Sequence, residues 1–97
     1  MKVYIAGKIS GDPNYREKFA AEQECLEDQG HIVLNPAELP EGMSSADYMR
    51  ICFAMIDCAD VVMFLPDWEN SEGAKLERAY CEYVDKLVCD EEDDDAT

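Results

Sequence analysis

Val3-Tyr4-Ile5-Ala6-Gly7-Lys8-Ile9-Ser10-Gly11 runs from an apolar stretch straight into a glycine-bounded loop, and Asp12-Pro13 follows it. Residues 3–6 are apolar and do not alternate, as expected of a strand covered on both faces. Val61-Val62-Met63-Phe64-Leu65 repeats the pattern. His31 to Leu34 reads as a shorter third strand, and Leu87-Val88-Cys89 as a weaker fourth.

Helical segments fill the gaps. Asp12 suits a helix N-cap and Pro13 the first helical position. Tyr15, Phe19 and Leu26 then share a face, and Gly30 closes the segment. A second helix starts near Ser44-Ser45, with Asp47 placed for a capping contact to Ser44. Its residues Tyr48, Ile51, Cys52, Met55, Ile56 and Ala59 recur at helical spacing. A third starts at Ser71, and Leu76, Ala79, Tyr80, Tyr83, Val84 and Leu87 form its apolar stripe. Strand and helix alternate throughout, which predicts an α/β domain. The expected form is a flavodoxin- or Rossmann-like three-layer sandwich, with right-handed crossovers and a small parallel sheet of about four strands. One domain is expected over residues 1–89.

Composition narrows the partners. The formal net charge is −15, from 23 acidic and 8 basic residues. Asp90 to Asp95 are all acidic, and residues 90–97 read as a disordered acidic tail. This balance argues against long nucleic acid, which selects a basic face. It leaves a mononucleotide open, because a helix N-terminus holds one phosphate whatever the global charge. No run of about 18 apolar residues exists to cross a membrane. Met1-Lys2 leads directly into the first strand, so no signal peptide is expected. The five cysteines, 25, 52, 58, 81 and 89, show no C-x-x-C pair. They imply neither a metal nor a disulfide framework and fit a reducing cytoplasm. Cys25, Cys52 and Cys81 fall in helices, where free Cys acts as a small hydrophobe. No organic cofactor is implied.

Ligands of open parallel sheets bind beyond the carboxyl ends of the strands. Residues 7–11, 35–42 and 66–77 are expected to meet there. Gly7, Lys8, Ile9, Ser10 and Gly11 form either a plain turn or a loop whose backbone approaches a ligand. The later loop is richer. Ser71 caps the third helix, and with the first N–H groups it makes an anion seat. Gly73 in the first turn costs about 1 kcal/mol against Ala, which close approach of a ligand or another backbone would explain. Glu77 lies one turn further along. It either solvates its helix or faces the cleft as a nucleophile or base. Tyr4 carries a hydroxyl in a buried strand and needs a partner or an opening to the cleft. Trp68 suits stacking on a base, core cover or a subunit contact. His31, Asp57 and Asp60 read as structural.

Val3-Tyr4-Ile5-Ala6-Gly7, Gly30-His31-Ile32-Val33 with Asn35-Pro36-Ala37, Ala59-Asp60-Val61-Val62 and Ser71-x-Gly73-Ala74-x-x-Glu77 occur in that order. Together they resemble a family of small bacterial and phage proteins of unknown function. That family is similar to nucleoside 2-deoxyribosyltransferases and 2′-deoxynucleoside 5′-phosphate N-hydrolases. The resemblance covers about residues 2–89 and implies cleavage or transfer at an N-glycosidic bond. It implies Glu77 as the nucleophile on the anomeric carbon, Ser71 at a 5′-phosphate and Tyr4 beside the nucleophile. It also implies residues 7–11 around sugar and phosphate, and a homodimer whose partner completes the site. A carboxylate beside an oxocarbenium-like transition state stabilises its developing charge. The sequence departs from the pattern at Cys52, where those enzymes carry an aspartate, and a thiol does not replace a carboxylate in proton relay at neutral pH. Asp47 is more than a turn away and Asp57 is on another face. A nucleotide-binding module without catalysis is therefore the second reading, and a structural or interaction domain the third.

Overall fold

The computed structural model describes residues 1–91. Four strands, β1 (Lys2–Ala6), β2 (Ile32–Leu34), β3 (Val61–Phe64) and β4 (Val88–Asp90), form one all-parallel sheet in the order β2-β1-β3-β4. Helices α1 (Tyr15–Asp28), α2 (Ser45–Cys58) and α3 (Glu72–Tyr83) make the crossovers. Strand register is tight at the centre, with Tyr4 opposite Leu34 on one side and Val62 on the other. The α/β three-layer sandwich expected from the alternation is thus the fold observed.

The period of two in β1 sorts the core into two halves. Val3 and Ile5 point to α1, where they pack with Phe19, Leu26 and Leu65. Tyr4 and Ala6 point the other way, onto Cys52 and Ile56 of α2 and Cys81 of α3. β1 leaves leftward to β2 and β3 lies to its right, so the chain direction diverges above β1 and β3. A crevice opens at such a switch point.

Helix ends follow local chemistry. Ser44 Oγ accepts the Asp47 N–H at 3.2 Å, as its spacing predicts. Gly30 takes φ +90° just past α1. The start of α1 differs from the expectation at Asp12-Pro13. Asp12 accepts the Asn14 N–H at 2.9 Å and pairs with Lys18, so it closes a turn, and Asn14 is the N-cap. His31, Asp57 and Asp60 are structural as expected. Asp60 accepts the Lys2 N–H at 2.7 Å, Asp57 accepts the Tyr80 hydroxyl at 2.6 Å, and His31 Nδ1 lies 3.3 Å from the N-terminal ammonium.

The largest departure concerns α3. Its buried face is Ala74, Glu77 and Cys81, whereas Leu76, Ala79, Tyr83, Val84 and Leu87 face outward. Tyr80 is half-buried and stacks on Phe53 of α2 at 4.6 Å. Small side chains at 74 and 81 let the helix sit close to the sheet, which the bulky stripe would prevent. Cys25 is also exposed rather than packed. Asp90, placed in the acidic tail by sequence, pairs in β4 and holds Arg78 at 2.6 Å. Residues 92–97 of that expected tail lie outside the described residues. No helix among those described is long and apolar enough to cross a membrane.

Candidate active site

Glu77 is the only buried charged side chain of the described core, 4% exposed. It projects from the second turn of α3 against β1, and Tyr4 Oη donates to its Oε2 at 2.6 Å. The strand's alternation places Tyr4 on that face; a one-residue slip would send the hydroxyl to α1 instead. Cys52 of α2 packs in the same cluster as Tyr4 and lines the cleft with it and Glu77. Burial pushes the Glu77 carboxyl up from 4.5 to about 7, against the pull of the Tyr4 hydrogen bond and the neighbouring Cys52 thiol. Burial, with Glu77 beside it, holds the Tyr4 phenol well above its ordinary value. Burial likewise raises the Cys52 thiol to about 11, so it is protonated at neutral pH.

These three groups form the floor of a cleft of about 1010 Å³. Gly7, Lys8, Ile9, Ser10 and Gly11 line one side, and Ser71, Gly73 and Leu76 the other. The cleft therefore unites every site residue expected from sequence except Trp68. That side chain turns to the core. It meets the Phe64 ring edge-on at 5.5 Å, and Arg78 lies over it at 4.9 Å. Arg78 is itself fixed by Asp90, so Trp68 serves as core cover rather than a base platform.

Ser71 caps α3, its Oγ accepting the Ala74 N–H at 3.2 Å. The first N–H groups of a helix lack intrahelical partners, and their dipoles point at the cleft. Gly73 leaves room for a neighbour, but that neighbour is Met49 of α2, whose methyl group would lie 3.2 Å from an added Cβ. Within the protein the close approach is thus a side chain rather than another backbone, and Gly73 also lines the cleft.

The loop after β1 is held from behind. A Cβ at Gly7 would stand 2.8 Å from Leu65 Cδ1 and 3.2 Å from Asp67 Oδ1, so only glycine fits without a shift. Asp67 accepts the Lys8 N–H at 3.1 Å, and Lys18 Nζ donates to the Lys8 carbonyl at 2.8 Å. Lys18 also pairs with Asp12 at 2.6 Å and with Asp67. Nothing in the sequence marked Lys18, because its partners lie 10 and 49 residues away. The N-terminal half of α2 was missed too. Ser45, Tyr48, Met49 and Cys52 all line the cleft, and only Cys52 had been singled out, by its position in the motif.

Comparison with known proteins adds a family and a fold. The model of a family described as Domain of unknown function (DUF4406) matches residues 1–90. The chain belongs to that family. No curated protein matches it. Among solved structures, a 2-deoxyribosyltransferase from the psychrotolerant bacterium Bacillus psychrosaccharolyticus superposes with a TM-score of 0.73 at 20% identity, covering 93% of this chain and 71% of that one. A 2-desoxiribosyltransferase from Leishmania mexicana gives a TM-score of 0.73 at 17% identity, covering 92% of this chain and 62% of the relative. This DUF4406 domain thus has the fold of the nucleoside 2-deoxyribosyltransferase-like proteins, and spans under two thirds of the second.

Proposed function

We propose that this cleft breaks or transfers the N-glycosidic bond of a deoxyribonucleoside or deoxynucleoside 5′-phosphate, with Glu77 as nucleophile. The observation that carries this reading is the buried Glu77 carboxylate on the cleft floor, with Tyr4 donating to one oxygen at 2.6 Å. A second oxygen is left to approach an anomeric carbon. The low-polarity surroundings strengthen its attraction for an oxocarbenium-like centre. Attack by Glu77 at C1′ forms a glycosyl ester, and water or an acceptor base completes hydrolysis or transfer. Ser71 and the N-terminus of α3 supply the seat for a 5′-oxygen or phosphate, and residues 7–11 wrap the sugar. The five free cysteines fit a cytoplasmic setting.

The test is release of free base from a panel of deoxynucleosides and their 5′-phosphates, followed by chromatography. Release is expected with at least one member. A panel that neither binds by calorimetry nor is cleaved would sink the proposal. Binding without release would select the second reading, a nucleotide-binding module, which the protonated Cys52 beside Glu77 favours because a thiol is a poor proton relay.

We further expect a homodimer formed through α3. Tyr83 is 88% exposed and Leu76 55%, and Val84 and Leu87 extend the same apolar surface. The charges of residues 72–87 other than buried Glu77 cancel, Glu72, Glu82 and Asp85 against Lys75, Arg78 and Lys86, in a chain of net charge −15. This is where two acidic copies meet with least repulsion, and Leu76 carries the contact to the rim of the cleft. Tyr83→Glu is expected to convert a dimer to a monomer in sedimentation velocity. A wild-type monomer at high concentration would refute the expectation.

A further inference from the structure

Behind the loop after β1 lies a cluster of charges that the chemistry above does not use. The Lys18 side chain of α1 is 26% exposed, and its ammonium has three protons to donate. All three find acceptors inside the protein: the Lys8 carbonyl at 2.8 Å, Asp12 Oδ2 at 2.6 Å, and Asp67 Oδ2. Lys18 and Asp67 stand outside the cleft lining, whereas residues 7–12 form part of it. The clasp therefore grips the loop from the side that a ligand does not reach.

Its grip falls on both ends of one turn. Asp12 donates its N–H to the Ile9 carbonyl at 3.2 Å, and Gly11 supplies the positive φ, +82°, that such a turn needs. At the start of the turn Asp67 takes the Lys8 N–H and Lys18 takes the Lys8 carbonyl. A planar trans peptide points its carbonyl and the next N–H in opposite directions. With the Lys8 carbonyl turned back to Lys18, the Ile9 N–H faces the cleft, and no acceptor among the described residues takes it. Without the ammonium, two carboxylates and that carbonyl would crowd one another, and the peptide would be released to turn over. Asp67 also carries the clasp to the opposite wall. One 3-10 turn, Trp68–Asn70, separates it from Ser71, with the Asn70 N–H on the Asp67 carbonyl at 3.0 Å.

We propose that Lys18 is a positioning residue for this site. It aims the Ile9 N–H at a sugar or 5′-oxygen of the substrate and fixes the loop relative to Ser71, without touching substrate itself. The inference rests on the glycosidic reading above and assigns it a residue outside the cleft.

The test is Lys18→Met, which keeps the reach of the side chain and removes its charge. Full-length protein is assayed with the four common deoxynucleosides and their 5′-phosphates. The double variant Lys18→Met/Asp67→Asn also removes one of the stranded carboxylates, and serves where the single variant does not fold. Misplacing substrate contacts by about 1 Å costs about 100-fold. For the members that wild type cleaves, kcat/KM is therefore expected to fall about 100-fold, with KM raised about tenfold. Mere destabilisation leaves fewer folded molecules that bind as wild type does, and lowers kcat alone. An unchanged KM in a folded variant overturns the inference while the glycosidic reading stands, and so does failure of both variants to fold. A wild type that binds without cleaving overturns the glycosidic reading instead, and the tenfold loss is then expected in the calorimetric Kd, an unchanged Kd overturning this inference as well. A wild type that neither binds nor cleaves overturns both.

Discussion

Glu77→Gln is expected to abolish base release and, above neutral pH, to make the fold more stable. The two effects share a cause. In the folded protein burial lifts the Glu77 carboxyl from 4.5 to about 7. At pH values below 4.5 the group is protonated whether the chain is folded or not, and it contributes no pH dependence. From 4.5 upward the unfolded chain ionises while the folded one resists, and stability falls with rising pH. The fall ends once the folded group ionises too, near 7. A displacement of that size corresponds to about 3 kcal/mol. Glutamine does not ionise, and its amide oxygen still accepts from Tyr4. The variant should therefore match wild type near pH 4 in urea unfolding and exceed it by about 3 kcal/mol near pH 8. Activity moves the other way: losing the attacking carboxylate is expected to lower kcat by about 1,000-fold or more. In wild type only the ionised carboxylate attacks, so kcat/KM should rise through pH 7 and level off above it. Parallel stability curves for the two proteins across this range would mean that Glu77 is not held as described. Sites that give up stability for chemistry leave this signature.

That buried placement is also where the sequence was hardest to read. The strands announced themselves, because runs such as Val3-Tyr4-Ile5-Ala6 have few alternatives once both faces must be covered. Caps at Ser44 and Ser71 were legible because the spacing that defines them is local. The face of α3 was not. Hydropathy favours burying Leu76, Tyr83 and Leu87, yet the sheet receives Ala74, Glu77 and Cys81. Close packing needs small residues there, and the proposed chemistry needs a carboxylate, so the pattern that usually marks a core face points outward. Trp68 stayed open between stacking, core cover and a subunit contact for a different reason. A tryptophan in a loop has no periodicity to orient it, and its partners Phe64 and Arg78 are set by tertiary contact. Lys18 was invisible in the same way, since its role depends on Lys8, Asp12 and Asp67 converging behind a loop. Tyr4 and Glu77 were found from opposite ends of the chain, as a hydroxyl in a buried strand and a carboxylate one turn past a glycine. Neither signal by itself contained their meeting across 73 residues, which only the family resemblance implied.

Tyr4→Phe separates a positioning role for this hydroxyl from a direct one. The substitution keeps the ring that packs with Ala6, Ile56 and Val62, so the core is preserved. What disappears is one donor to an ionisable, buried group. A hydrogen bond to a charged partner is worth about 1.5–3 kcal/mol, and it favours the ionised form of Glu77. Without it the carboxyl should hold its proton to still higher pH. Base release at neutral pH is expected to fall about 2- to 15-fold, because fewer molecules carry the nucleophile in its attacking form. The loss should shrink as pH is raised and the carboxyl ionises, shifting the whole profile to the alkaline side. Stability should follow the same dependence. Near pH 4 the neutral acid loses an ordinary hydrogen bond, about 1 kcal/mol, whereas above the shifted midpoint the deficit grows toward 1.5–3 kcal/mol. A uniform loss of rate at every pH would point elsewhere, to a tyrosine that touches the sugar in the transition state. The shape of the profile, rather than the size of the defect at one pH, therefore decides how Tyr4 acts on the buried carboxylate.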